Sequence, residues 1–197
     1  MQLNFERLTQ VLELDEGRRS SPYTDTEGEW TIGIGHLMAN PVSAENYELA
    51  TGTAVDEPTA IPLNVGSITE EGIDAIFEDD MDTAYDQMRD WLMGDGTASP
   101  SSWHRISYLR REVLTNMMFQ LGPGSVSEFV RCRRAILVQD WHTASLEMRY
   151  ADPETERDSE WFEETRTRCV RAANAMRTNN PQYLLNPQLR QLQDLDD

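Results

Sequence analysis

The chain has 197 residues, a formal net charge of −18, and a hydrophobic fraction of 39%. This length fits one domain of ordinary size, and the apolar fraction suffices for a normal core. No stretch approaches the roughly 18 apolar residues of a membrane-spanning helix, and so acidic a chain repels the phosphate backbone of nucleic acids. We therefore expect neither membrane insertion nor nucleic-acid binding.

The charge is unevenly distributed along the chain. Residues 1–100 hold 21 acids and 4 arginines, residues 101–197 hold 14 acids and 13 arginines, and lysine is absent. Two interpretations are open: a well-solvated acidic face, or a docking surface for a basic partner. The N-terminal segment is amphipathic and carries acids, so it does not resemble a secretory signal. We therefore expect synthesis in the cytoplasm.

The first part of the chain predicts a helix, a small sheet and a long loop. Apolar residues at helical spacing predict a helix over residues 3–15, capped by Asn4. Strand-forming residues over 22–35 predict a hairpin or three-stranded sheet with a turn at residues 27–28. The proline-containing stretch 39–66 predicts a loop that is longer than compact domains usually contain.

The rest of the chain predicts a helical bundle. A capping box at residues 67–70 predicts a long helix to about residue 93. The most apolar helix is predicted over residues 103–121 and ends at Gly122 and Pro123. The fold class is therefore α+β, mostly α. The other predicted segments are a flexible link over 94–102, a second capping box at 125–128 that opens short helices to about 150, a charged loop over 152–160, a last helix over 161–176, and an extended polar tail from 178.

Two acids and a hydroxyl surround the predicted sheet. Glu16 ends the first helix beside Asp15, and both the negative helix end and that neighbour favour the protonated carboxyl that a general acid needs. Asp25 lies in a polar turn where it ionises readily, and Thr31 opens the returning strand. Glycoside hydrolysis uses such a pair of carboxyls in opposite protonation states. Acids at helix ends and turns are also common, so this pattern alone does not separate a catalytic pair from surface acids.

Several motifs in order resemble the phage-type (T-even) lysozymes, glycoside hydrolase family 24. They are the DEG that ends the first helix, an aspartate nine positions after its glutamate, the DTEG turn and TIGIGH. NMMFQLG at residues 116–122, Trp141 and the segment 161–168 extend the likeness to about residues 1–178. The resemblance implies a lysozyme-like fold, with a small β lobe over about 16–66 joined by a long helix to a helical lobe over about 100–178 plus helix 3–15, and a polar tail over 179–197.

The resemblance also implies roles for individual residues. Glu16 would protonate the leaving sugar oxygen, Asp25 would act as the base that orients water, and Thr31 would hold that water, with inversion at the anomeric carbon. An inverting pair is roughly 6.5–9.5 Å apart. The other implied positions are the glycan contacts Leu37 and Phe119, and three supporting contacts: Arg168 facing Glu16, His36 paired with Asp80, and Gln120 linked to Trp161.

Some features depart from the plain family pattern. The long loop after Met38 and the link near Gly94 are closer to the lysozyme domains in tail spikes of contractile-tailed phages. Cys132 and Glu147 stand where a hydroxyl and an amide are expected near the glycan. Cys132 and Cys169 show no metal spacing; buried free thiols are the expectation, although a disulfide stays open.

The resemblance implies a muramidase that cuts the β-1,4 bond between N-acetylmuramic acid and N-acetylglucosamine, without metal or cofactor. It would be an endolysin that a holin releases to the periplasm or cell wall, or a tail-associated enzyme carried in the virion with baseplate or tail proteins as partners. Two alternatives stay open: a non-catalytic lysozyme-fold module of a virion, and an enzyme acting on chitin-like polymers.

Overall fold

The computed structural model describes residues 4–25, 28–94, 96 and 98–189. It is about 59% helical with small antiparallel sheets, which confirms the predicted α+β, mostly helical class. The chain divides into a β unit, Leu12–Thr83, and a helical unit, Met1–Val11 with Ala84–Asp197. The elements in chain order are α1 Phe5–Glu16, β1 Arg19–Thr24, β2 Trp30–Gly33, β3 His36–Leu37, β4 Pro41–Val42, α2 Ala44–Thr51, β5 Thr59–Ala60, α3 Glu70–Met93, α4 Pro100–Arg105, α5 Tyr108–Ser127, α6 Val130–Leu137, α7 Trp141–Arg149, β6 Tyr150–Asp152, β7 Arg157–Asp158, α8 Glu160–Thr165, α9 Thr167–Thr178 and a 3₁₀ turn Pro181–Tyr183.

Helix α1 has a side-chain cap at its start and a glycine at its end. The Asn4 side-chain oxygen accepts the Arg7 backbone N–H at 2.9 Å, as predicted for the capping residue. Gly17 follows the helix with φ +77° and donates its N–H to the Glu13 carbonyl at 3.0 Å. A glycine in this left-handed conformation stops a helix at a defined residue, so the position of Glu16 at the helix end is determined locally.

The predicted three-stranded sheet is present, in the order β1-β2-β3 with both pairs antiparallel. Tyr23 lies opposite Thr31, Thr31 lies opposite Leu37, and Ile32 lies opposite His36. The register shifts between Arg19 and Tyr23, which marks an irregularity in β1. The predicted turn falls partly on residue 27, which lies outside the described residues.

The sequence predicted a loop over residues 39–66, and this prediction is wrong. The segment contains α2 and the β4–β5 pair. Ser43 caps α2 by accepting the Asn46 N–H at 3.2 Å, and Gly52 ends it with φ +72°. The helix has eight residues and buries only two aromatic or apolar side chains, Tyr47 and Ala50. So short an amphipathic pattern is difficult to detect in a sequence.

Helix α3 ends at Met93, close to the prediction, but the predicted capping box at residues 67–70 is wrong. Thr69 is the residue that accepts the Gly72 N–H, at 2.9 Å. Ile68 instead donates its backbone N–H to the Ser20 carbonyl at 2.8 Å and is buried. The chain is therefore still extended at residue 68, and the helix begins later than predicted.

The helical unit differs from the prediction at three of its element boundaries. The predicted link over residues 94–102 contains the start of α4, and α5 begins at Tyr108, where Ser107 accepts the Arg110 N–H at 3.3 Å. The break at Gly122 is present, with φ 67° and ψ 169°, yet one further helical turn follows it. The second predicted capping box, residues 125–128, therefore coincides with the end of α5 and does not open a helix.

Three further corrections concern the end of the chain. The β6–β7 hairpin extends into the predicted charged loop over 152–160. The predicted last helix is divided into α8 and α9 at Arg166, with φ 42° and ψ −91°. The tail is not simply extended, because Leu184 and Leu189 are buried and Arg171 donates to the Leu184 carbonyl at 2.8 Å. No helix in the described ranges is long and apolar enough to cross a bilayer.

Candidate active site

Glu16 is the last residue of α1, and the joint that follows it is held by Arg18. The Arg18 guanidinium forms ion pairs with Glu13 at 3.0 Å and with Glu70 and Asp74, both at 2.8 Å. These carboxylates raise the Arg18 pKa, with Asp74 the largest cause. One arginine thus connects the end of α1 to the start of α3, and it limits the movement of the chain that carries Glu16.

Asp25 follows β1 and is fixed by the turn that leads to β2. Its backbone N–H donates to the Glu29 carbonyl at 3.0 Å, and its side-chain oxygen accepts the Glu29 N–H at 2.9 Å. The Gly28 N–H donates to the Asp25 carbonyl at 3.3 Å. An aspartate that binds its own turn in this way has little rotational freedom, so its carboxylate is preorganised.

One face of the sheet gathers the predicted site residues of the β unit. Tyr23, Thr31 and Leu37 form a row across the three strands, because each lies directly opposite the next. Asp25 comes two residues after Tyr23, a spacing that places side chains on the same face of an extended chain. Thr31 is buried, with 3% exposure, and Leu37 is 40% exposed.

The pKa of the Tyr23 phenol is affected by the charges of both Glu16 and Asp25. Burial raises the pKa of its phenol, the charge of Glu16 raises it further, and Asp25 adds a smaller increase. Arg19 lowers the pKa, as does a backbone hydrogen bond from Gly35. Since Coulomb effects fall with distance, Glu16 and Asp25 both lie near the Tyr23 hydroxyl.

His36 lies on the opposite face of the sheet. Its Nδ1 is 2.8 Å from an Asp80 carboxylate oxygen, and its Nε2 is 3.3 Å from the Asn40 carbonyl. The imidazole is 3% exposed. The predicted partners are therefore in contact, and through Asp80 they connect the sheet to α3.

The other predicted residues belong to the helical unit. Arg168 donates to the Asn116 side-chain oxygen at 2.9 Å and also to Gln120. Trp161 is fully buried, and its indole N–H has no hydrogen-bond partner among the described residues, so that N–H does not form the predicted link to Gln120. Phe119 is half-buried. The contact between Arg168 and Glu16 stays a prediction.

A pocket of about 850 Å³ lies in the helical unit. Arg131 pairs there with Glu147 at 2.9 Å, and burial raises the Glu147 pKa. Cys132, the other departure from the family pattern, is fully buried rather than exposed to this pocket. The pocket is lined in part by Gly124, Phe129, Arg131, Glu147, Tyr150 and Arg157.

Cys132 and Cys169 are buried free thiols, as expected. Cys132 donates to the Ala144 carbonyl at 3.6 Å and Cys169 to the Met148 carbonyl at 3.3 Å. Burial raises both pKa values, that of Cys169 to about 12. Since the thiolate is the reactive form, these side chains are unreactive at neutral pH.

Sequence reasoning did not identify Arg18, Arg19, Tyr23 or Asn116 as part of the site. Tyr23 was recognisable in principle, because it precedes Asp25 by two residues in a strand-forming segment. Contacts such as that between Arg168 and Asn116 join residues distant in sequence, and a single sequence carries no signal for them.

Comparison with known proteins identifies the family of this chain. A profile of the Phage lysozyme family matches residues 13–152. The chain is 32% identical over 173 residues to the pre-baseplate central spike protein Gp5 of Enterobacteria phage T4, a match that covers 88% of the chain and 28% of that protein. It is 26% identical over 172 residues to a Dictyostelium discoideum protein named probable T4-type lysozyme 2, covering 87% of the chain and 94% of that protein.

A second Dictyostelium discoideum protein, named probable T4-type lysozyme 1, is 27% identical over 169 residues, which are 85% of the chain and 92% of that protein. The family profile covers well over half of the chain and includes Glu16, Asp25 and Thr31. The chain therefore belongs to the phage lysozyme family, and the activity that this membership supports is the hydrolysis of peptidoglycan.

Proposed function

We propose that this protein cleaves the β-1,4 bond between N-acetylmuramic acid and N-acetylglucosamine by inverting acid/base hydrolysis, as in glycoside hydrolase family 24. The observation that carries the proposal is that the charges of Glu16 and Asp25 both act on the Tyr23 phenol, and Tyr23 lies directly opposite Thr31. A glycosidase needs two carboxyls that flank one bond.

The reaction assigns one proton transfer to each carboxyl. Glu16 donates its proton to the glycosidic oxygen as the bond from that oxygen to the anomeric carbon breaks. Asp25 accepts a proton from a water molecule that attacks the same carbon from the opposite side of the ring, which inverts its configuration. Thr31, on the same face, holds that water. This mechanism requires roughly 6.5–9.5 Å between the two carboxyls, which leaves room for the water.

The surrounding contacts support this division of roles. Arg18, with its three carboxylate partners, limits movement where α1 ends at Glu16. The turn hydrogen bonds of Asp25 keep its carboxylate oriented. His36 and Asp80 support the sheet from its other face. Leu37, which is exposed next to Thr31 in the same row, is placed to contact a sugar ring.

We further propose that the enzyme acts as a tail-associated lysozyme and not as a holin-released endolysin. Two observations support this setting: the 32% identity to a protein named as a pre-baseplate central spike, and the strongly acidic chain. A negative surface slows the approach of a free enzyme to an anionic cell wall, whereas an enzyme delivered by a virion does not depend on diffusion. Baseplate or tail proteins would then be its partners.

The test is the clearing of purified peptidoglycan by the wild-type protein, by Glu16→Gln and by the control Glu48→Gln, which removes an exposed carboxylate on α2. We expect Glu16→Gln to lower the rate at least about 100-fold, since general acid catalysis contributes roughly 10²–10⁴-fold. Glu48→Gln should keep the wild-type rate. NMR of the first product should show the α-anomer, as inversion at a β-linked carbon requires.

Several results would reject the proposal or one part of it. Equal rates for wild type and Glu16→Gln, or no activity of either at several salt concentrations, would favour a non-catalytic lysozyme-fold module. A β-anomeric first product would exclude inversion. Faster cleavage of chitooligosaccharides than of peptidoglycan would identify a different substrate. Detection of the chain at the baseplate of purified virions tests the tail-associated setting separately.

A further inference from the structure

Two segments of the helical unit contain no acidic residue. Residues 96–111 hold three arginines and residues 165–189 hold four, in a chain that has 35 acids among its 197 residues. The two segments are in contact, because Arg110 donates from Nε to the Met176 carbonyl at 2.7 Å and from Nη2 to the Arg177 carbonyl at 3.3 Å. Basic side chains therefore gather in one region of a strongly acidic protein.

The arginines of this region stack on aromatic rings. The guanidinium carbon of Arg110 lies 4.0 Å from the centre of the Trp141 ring, and that of Arg111 lies 4.2 Å from the Trp103 ring centre and 5.0 Å from that of Tyr108. Stacking on a ring orients a guanidinium and leaves its N–H edge available for an anion. We call this region the arginine face and define it by Arg105, Tyr108, Arg110, Arg111, Trp141 and Arg177.

The positive charge of the arginine face has no counter-charge. Among the residues that the structure describes, no carboxylate forms an ion pair with any of its four arginines. Arg111 is 7% exposed, and its Nε is shielded from water without a hydrogen-bond partner in the described ranges, as are Nε and Nη2 of Arg177. Since a desolvated charge without a partner is costly, a bound anion would lower the free energy of this face.

The start of α5 adds to this positive charge. Ser107 caps the helix, and its first turn contains Arg110 and no acid, whereas acids usually complement the positive end of a helix dipole. His104 and Arg105 lie in the last turn of α4, directly before this cap. Arg105 and Tyr108 are exposed, so a partner has access to this part of the arginine face.

We propose that the arginine face is a docking surface for an acidic segment of a partner protein. Guanidinium groups bind carboxylates through two parallel hydrogen bonds. Trp, Tyr and Arg are the residue types that carry most of the binding energy of protein–protein interfaces, which favours a protein partner over a phosphate polymer. The net charge of −18 also repels a long polyanion more strongly than a short acidic segment. This surface is independent of the proposed catalytic activity.

The test is the fluorescence anisotropy of a fluorescein-labelled octaglutamate peptide, titrated with the wild-type protein, with Arg105→Glu and with the matched control Arg89→Glu. Both arginines are exposed, and Arg89 pairs only with Asp86 in the described part of the chain. Each exchange removes one positive and adds one negative charge, so both variants have a net charge of −20. Circular dichroism confirms that each variant is folded.

We expect saturable binding of the peptide by the wild type at low salt and a Kd at least about tenfold higher for Arg105→Glu, because a charge-assisted hydrogen bond is lost and a repulsion is added. Arg89→Glu should match the wild type. Tyr108→Ala should raise the Kd about threefold with no change in net charge, since an aromatic contact is lost. Added NaCl should weaken the binding by screening.

Four outcomes would overturn the proposal. They are the absence of saturable peptide binding by the wild type, and an equal loss in Arg105→Glu and Arg89→Glu, which would mean that net charge alone matters. Binding of sodium tripolyphosphate that depends on Arg105 and is tighter than binding of the peptide would identify a phosphate ligand instead. Self-association in sedimentation velocity that Arg105→Glu abolishes would make a second copy of this chain the occupant. None of these measurements depends on glycan cleavage.

Discussion

At the residue scale, Glu147 is an ionisable side chain that is almost entirely buried. Its side chain is 6% exposed, and burial raises its pKa, while Arg131 lowers it and Asp152 raises it. Arg131 is 60% exposed, and an ion pair with so exposed a partner gives little compensation. Ionisation of Glu147 therefore costs more in the folded state than in the unfolded chain, which couples stability to pH.

We predict that Glu147→Gln becomes more stable than the wild type as the pH rises. A folded-state pKa above the unfolded value, which is about 4.3, means that the wild type binds its proton more tightly when folded. The stabilisation that this tighter proton binding gives the wild type is therefore fully present below about pH 4.3. It is lost as the pH rises through the pKa of Glu147 in the folded state. The Gln variant should therefore exceed the wild type in stability by a larger margin at pH 7 than at pH 4.

Urea unfolding at pH 4 and pH 7 measures this difference. Glu48→Gln serves as the control, because the Glu48 side chain is exposed on α2 and its replacement should leave the pH dependence unchanged. A stability difference between Glu147→Gln and the wild type that has the same size at both pH values would contradict the prediction, since it would come from packing and not from ionisation.

The positions of individual residues in the chain explain which residues of the candidate site could be predicted from the sequence. Glu16, Asp25 and Thr31 occupy one contiguous stretch, so their types and spacing are visible together. Arg19 is not visible as part of the site, because its contact with the Tyr23 ring depends on the irregular register of β1. Alternation predicts which face a strand residue occupies only while the register is regular.

At the element scale, α2 and α3 approach each other so closely that only glycine fits between them. A Cβ atom added at Gly72 would lie 2.3 Å from the Ala50 Cα and 2.8 Å from its backbone nitrogen. Neither atom can move without displacing α2, whose Ala50 is buried. The packing of α3 on α2 therefore depends on the absence of a side chain at residue 72.

We predict that Gly72→Ala destabilises the protein by about 2–3 kcal/mol, the usual cost of overpacking that shifts backbone. Gly124→Ala is the matched control, because no atom lies within 4 Å of the added Cβ and its backbone needs no positive φ; it should change stability by less than about 0.5 kcal/mol. The double variant Gly72→Ala with Ala50→Gly should not recover, since the clashing Cα and nitrogen of residue 50 remain. Denaturant unfolding gives all three values, and a stable Gly72→Ala would show that the helices separate easily.

Elements also differ in how well the sequence predicts them. The small sheet and the long helix that ends at Met93 follow from patterns that extend over many residues. Helix α2 is not predicted from the sequence because it has only eight residues and buries only two aromatic or apolar side chains. The start of α3 is predicted wrongly because Ser67 and Thr69, which both precede the helix, are both suitable capping residues. Tertiary contacts of Ile68 decide between them.

At the scale of the whole molecule, charge is the dominant peculiarity. The net charge is −18, and the β unit alone carries 17 acids against two arginines. Folding brings these carboxylates closer together than they are in the unfolded chain, and self-repulsion therefore opposes the compact state. The repulsion acts over distances comparable to the Debye length, about 10 Å at 0.1 M salt and 3 Å at 1 M.

We predict that added NaCl stabilises the protein, because it screens this repulsion more than it weakens the short ion pairs of Arg18 and Glu112. The thermal midpoint should rise by several degrees between 20 mM and 500 mM NaCl, which for a chain of this size is on the order of 1–2 kcal/mol. A triple variant, Glu71→Gln with Glu78→Gln and Asp82→Asn, removes three exposed carboxylates from α3. Its midpoint should be higher than that of the wild type at low salt and should respond less to NaCl. A wild-type midpoint that falls with salt would mean that attractive ion pairs, and not the excess of acids, dominate the electrostatic free energy of the fold.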